Sequence, residues 1–111
     1  MPRKKRLKSL SLVTPGKKRR LPEPEEQLDL HGFTAREAET RTAAFIERAR
    51  RYRLQTVLII TGKGLHSPQG PVLKDSVESI LRLMREEGTI AAYGWEKGRR
   101  EESGGLLVQL P

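Results

Sequence analysis

Thr56-Val57-Leu58-Ile59-Ile60 is the stretch on which the fold turns: five β-branched or apolar residues in a row, stopped by Thr61-Gly62. A short run with no polar alternation reads as a central strand covered on both faces, because a strand with one wet face alternates. Upstream, Thr34 with Glu37 three residues on is a capping box that opens a helix. Ala38, Thr42, Phe45, Ile46, Ala49 and Tyr52 follow at helical spacing as its inward stripe, and Glu47, Arg48, Arg50, Arg51 and Arg53 form its outer face. Before that helix, residues 27–30 read as a short strand.

Downstream, Gly70-Pro71 begins a second helix, with proline tolerated in the first turn. Its inward stripe is Leu73, Val77, Ile80, Leu81 and Met84, and Gly88 falls just past its end. Residues 89–95 and 106–110 read as two more strands. The loop between them, 97–105, has nothing to bury and is expected to be mobile. The order βαβαββ predicts an α/β fold, a single two-layer domain with a mixed four-stranded sheet and two helices. A right-handed crossover makes the first two strands parallel and brings their C-terminal ends to one edge.

The chain has 111 residues, 35% of them hydrophobic, which is enough for one modest core. It contains no cysteine, so disulfide staples and thiolate metal sites are excluded and the reducing cytoplasm is the expected compartment. No apolar run approaches the roughly 20 residues that a membrane span requires, so no membrane partner is expected. The net charge of +8 is unevenly placed. Residues 1–26 carry nine basic residues (Arg3, Lys4, Lys5, Arg6, Lys8, Lys17, Lys18, Arg19, Arg20) against three acids (Glu23, Glu25, Glu26), a net of +6. The remaining residues are close to neutral. The N-terminal part, with Pro2, Pro15, Pro22 and Pro24 and no periodicity, reads as a disordered basic arm suited to phosphate backbones, and residues 27–111 as the folded domain. The mixed charge on both helices shows no dimerisation stripe, and a monomer is expected.

Both histidines lie in two segments that follow strands, Leu28-Asp29-Leu30-His31-Gly32 and Thr61-Gly62-Lys63-Gly64-Leu65-His66-Ser67. Such edges are where α/β proteins bind ligands. Glycines that free backbone N–H groups, with Lys63 between them, suit a phosphate. The loop is not a nucleotide-binding P-loop, which needs a glycine where Val57 stands and a hydroxyl where Gly64 stands. Two histidines without cysteine do not make a structural zinc site. Two imidazoles, a carboxylate and a lysine are parts of a general acid/base phosphodiesterase site, and each also has an ordinary reading as strand punctuation, loop residue or surface ion pair.

The D-L-H segment, the T-G-K-G loop after an apolar strand, and the terminal Gly104-Gly105-Leu106-Leu107-Val108 strand together resemble the Smr (small MutS-related) domain, over residues 26–111. The resemblance implies a fold similar to the C-terminal domain of bacterial translation initiation factor 3. It also implies an endonuclease that cleaves or nicks DNA or RNA, with nucleic acid and the ribosome as candidate partners. By it, Asp29 and His31 carry the D-L-H motif, and Gly62, Lys63 and Gly64 the family's H-G-x-G loop. Thr61 departs from the pattern, standing where many members have histidine. Some relatives read T-G-[KR]-G-x-H-S, so His66 is the expected replacement imidazole.

Asp29, His31 and His66 are thus the candidate catalytic residues, and Thr61, Gly62, Lys63 and Gly64 the candidate phosphate-binding loop. No cofactor is expected for attack by an RNA 2′-hydroxyl. Cleavage of DNA would ordinarily recruit a divalent ion, here held partly by Asp29. The rival reading is a non-catalytic module that grips phosphates or the ribosome with the same edge.

Overall fold

A computed structural model describes residues 23–62 and 70–111, the side chains of residues 70 and 71 excepted. Its elements are β1 (Glu26–Asp29), α1 (Ala35–Arg51), β2 (Thr56–Ile60), α2 (Gly70–Glu87), β3 (Ala92–Trp95), a 3-10 turn (Arg100–Glu102) and β4 (Gly105–Gln109). The basic arm through Arg20, together with Lys63, Gly64 and His66, lies outside the described residues.

The sheet has the order β1-β2-β4-β3. β1 runs parallel to β2 with Asp29 opposite Ile60, while β4 runs against both β2 and β3. The C-terminal ends of β1, β2 and β3 therefore share an edge with the start of β4 and with the first turns of both helices. Both crossovers step in the same direction across the sheet, so right-handedness puts α1 and α2 on one face. Val57, Ile59, Leu106 and Val108 meet Ala38, Phe45, Ile46 and Ala49 of α1 and Leu73, Val77 and Leu81 of α2 there. Each large apolar side chain buried in this layer contributes about 1.5–3 kcal/mol. No described helix is long and apolar enough to cross a membrane.

α1 begins as its sequence dictates. The Thr34 hydroxyl accepts from the Glu37 amide at 3.2 Å and the Glu37 carboxylate accepts from the Thr34 amide at 2.9 Å. Both helices end in a Schellman motif. In α2, the Gly88 amide donates to the Arg85 carbonyl and the Thr89 amide to that of Met84. Thr89 and Ile90 are thereby held in the helix end, which is why β3 starts at Ala92 and not at residue 89.

Three expectations are corrected. β2 is covered by helices on one face only: Leu58 and Ile60, with Leu107 of β4, lie half-buried on the other. Flanking strands on both sides shield these residues enough for the apolar run to stay unbroken. Tyr52 is not in the core but 67% exposed, because α1 stops at Arg51 and Tyr52 is already its C-cap. The loop after β3 does bury something. Ser103 is fully buried, its hydroxyl accepting from the Lys97 amide at 3.0 Å and donating to the Arg99 carbonyl at 2.7 Å.

Thr42, fully buried on α1, has a hydroxyl with no hydrogen-bond partner. A buried unsatisfied hydroxyl costs about 1–3 kcal/mol. Thr42→Val keeps the branched shape and removes that group, so thermal melting should shift upward, by about 1 kcal/mol in stability.

Candidate functional site

The segment after β1 is built by a tight turn. The Leu30 amide extends the ladder to the Ile60 carbonyl at 2.7 Å, and the Phe33 amide closes back onto the Leu30 carbonyl at 3.1 Å. His31 and Gly32 are the central pair of that turn, and Gly32 has φ +89°, the left-handed value that glycine takes without a Cβ penalty. Leu30, fully buried, pins the turn to the core, so the side chain of His31 must point out at the edge.

Asp29 orients it. Its Oδ1 accepts from the His31 backbone N–H at 3.1 Å and lies 3.3 Å from the ring Nδ1. A carboxylate only accepts, so in the neutral form of the ring this contact assigns the proton to Nδ1 and leaves the Nε2 lone pair facing outward. The side chains are 76% and 54% exposed for His31 and Asp29. An ion pair that open contributes little to stability, and its effect is to fix tautomer and direction.

The loop after β2 starts beside this pair. A Cβ placed on Gly62 would stand 3.6 Å from the His31 Cβ, and Gly62 has φ +80°. The parallel register therefore brings together His31 and the base of the Thr61 loop, as the topology predicted. Thr61 is buried, with its hydroxyl donating to the Gly62 carbonyl at 2.9 Å. The amides of Thr61 and Gly62 both donate to the Gly104 carbonyl, at 2.9 and 3.0 Å. These two residues thus anchor the start of the loop to the entry of β4, with both amides engaged there; Lys63 and Gly64 lie outside the described residues.

Sequence reading missed a second group at this edge. Lys74 is 4% exposed and its Nζ donates to the Arg100 carbonyl at 2.7 Å while lying 5.5 Å from the Trp95 ring centre. The Arg100 guanidinium pairs with Asp75 and Glu78 of α2 and also faces Trp95. This network ties the β3–β4 loop to α2. The signal was present: Lys74 sits at the spacing of Val77 and Leu81, a cation in an inward helical stripe. Among the described residues no three of His, Asp and Glu converge to hold a metal ion.

Comparison with known proteins agrees with this architecture. The Smr domain family matches residues 28–111, and the chain belongs to that family. The fold is similar to the crystal structure of the Smr domain of Thermus thermophilus MutS2, with a TM-score of 0.61 at 24% identity over 78% of this chain and 98% of that one. An uncharacterized protein of Treponema pallidum (strain Nichols) is 42% identical over 67 residues, covering 60% of this chain and 33% of that protein. The chain thus spans about a third of the length of that relative.

Proposed function

We propose that this Smr domain is a nucleic-acid endonuclease whose general base is His31. The observation that carries the reading is the double grip of Asp29 on His31, which leaves Nε2 facing solvent beside the loop that starts at Thr61. Membership of the Smr family supports nucleic acid as the substrate class.

On RNA, Nε2 takes the proton of a 2′-hydroxyl, the freed oxygen attacks the adjacent phosphorus, and the 5′-oxygen leaves. Lys63 and the following amides would hold the phosphate, and His66 would return a proton to the leaving oxygen. The products are a 2′,3′-cyclic phosphate and a 5′-hydroxyl. DNA lacks the 2′-hydroxyl, so water would be the nucleophile and a divalent ion its usual activator.

One observation favours a second reading. The buried Thr61, its hydroxyl already bonded to Gly62, offers no proton donor from the position that many members give to histidine. If His66 does not replace it, the edge grips phosphate without turnover. Matched single-stranded RNA, branched DNA and supercoiled plasmid, each with EDTA and with magnesium, separate the readings. Cleavage by wild-type protein that His31→Ala abolishes supports the endonuclease. Retained binding with no cut on any substrate supports the gripping module. An RNA with 2′-deoxyribose at the cleavage site should resist cutting in EDTA, and its rapid cleavage there would contradict the 2′-hydroxyl route.

A further inference from the structure

One flank of α1 and the outer face beside its C-terminal end carry arginines without acidic partners among the described residues and one exposed aromatic, Tyr52. Residues 41, 48 and 52 are seven and four apart and so share a helical face. At the edge end of this face, the Arg41 guanidinium lies 4.4 Å from the ring centre of Phe33, two residues after His31. Midway, Arg48 lies over Phe45 at 5.9 Å and pairs with Glu26 of β1 at 3.1 Å. At the far end stands Tyr52, 67% exposed, between Arg51 and Arg53. Among the described residues Arg41, Arg51 and Arg53 have no acidic partner.

Arg53 adds an independent observation. It occupies the left-handed position of the α1 Schellman motif at φ +60°, with its amide on Arg50 and the next amide, of Leu54, on Ala49. The equivalent position of α2 is Gly88 at φ +83°. An arginine held where glycine is the unstrained choice points to a role for its side chain.

We infer that this flank is a track for single-stranded nucleic acid leading to His31: Tyr52 stacks a base, Arg41, Arg51 and Arg53 hold phosphates, and Phe33 with Arg41 delivers the strand to the edge. The inference rests on the nucleic-acid reading above and extends it to a surface on the helix layer. An exposed aromatic, Tyr52, set among arginines without a described acidic partner, with the half-buried Phe33 under Arg41, is the kind of surface that grips single strands without reading sequence. The 17 residues of α1 make the track about 25 Å long, about seven steps at a rise of ~3.4 Å.

The test is fluorescence anisotropy of a labelled single-stranded 12-mer on the full chain across a salt series, with thermal melting of the same samples. Tyr52→Ala should weaken binding about tenfold. Arg51→Gln with Arg53→Gly should flatten the slope of log affinity against log salt by about 1.4 units. Arg53→Gly alone should move stability and affinity in opposite directions, raising the melting temperature by about 4 °C while weakening binding. Arg82→Gln with Arg85→Gln on α2 is the charge-matched control. Equal losses in the control and track variants would overturn the track, as would displacement of the 12-mer by poly-glutamate as readily as by unlabelled strand. A wild-type chain that binds no oligonucleotide would overturn the nucleic-acid reading itself, a different outcome from unchanged track variants.

Discussion

On the proposed endonuclease reading, His31→Ala is expected to lower the rate of phosphodiester cleavage by about a hundredfold to ten-thousandfold, the range for loss of a positioned general base. Its melting temperature stays at the wild-type value, because the side chain is 76% exposed and its ion pair with Asp29 contributes little to stability. Asp29 separates orientation from charge. Asp29→Asn keeps an oxygen that accepts from the His31 amide and ring, so it loses only the charge and should cost about tenfold. Asp29→Ala releases both bonds and approaches the loss of His31→Ala. Single-turnover rates with the substrate that wild-type protein cuts best rank the three variants. Equal effects of Asn and Ala would show that the charge of Asp29, and not its geometry, supports the imidazole.

Gly105→Val is the substitution expected to damage fold and site together. A Cβ there would meet the Leu58 Cδ1 at 3.0 Å, the Glu96 Oε1 at 3.2 Å and the Ile59 carbonyl oxygen at 3.2 Å. Side chains can yield, but the Ile59 backbone can move only if β2 and β4 separate. The expected loss is about 3 kcal/mol, the upper part of the usual cost of overpacking. Displacement of β4 also carries away the neighbouring Gly104 carbonyl, on which the Thr61 and Gly62 amides are anchored, so the proposed cleavage should fall with stability. Gly94→Val on β3 is the matched control: nothing lies within 4 Å of its Cβ position, and melting should be unchanged. Denaturant unfolding of the two variants reads the difference directly.

What was legible in the chain was whatever local chemistry decides. The Thr34–Glu37 capping box, the inward stripes of both helices apart from Tyr52 and the half-buried Ile80, and the apolar run of β2 each followed from a short window. The pairing of Asp29 with His31 was one of the readings their spacing allowed, and the turn that follows β1, not a shared strand face, is what makes it. What remained hidden depends on neighbouring strands, on bonds to backbone groups and on where a helix ends. Leu58 and Ile60 read as doubly covered because flanking strands and a helix layer leave the same apolar signature. The bond of Lys74 was not readable because its partner is a backbone carbonyl 26 residues on, and Ser103 read as loop because its partners are amide and carbonyl groups rather than side chains. Tyr52 carries the helical spacing of a core residue, and only the end of the helix one residue earlier turns it outward. The parallel topology was the reason to treat the edge as one site, and the resemblance to the Smr domain added the class of chemistry expected there.

The most direct test of the central claim is a paired measurement on wild-type and His31→Ala protein: single-turnover cleavage of the preferred substrate, and the Kd for that substrate from the same preparations. A rate lower by a factor of about 100 or more, with Kd within about threefold, is the predicted result, because a general base at His31, as proposed, would act on the reacting oxygen rather than on binding. Equal cleavage rates for the two proteins would contradict the account and remove His31 from the chemistry.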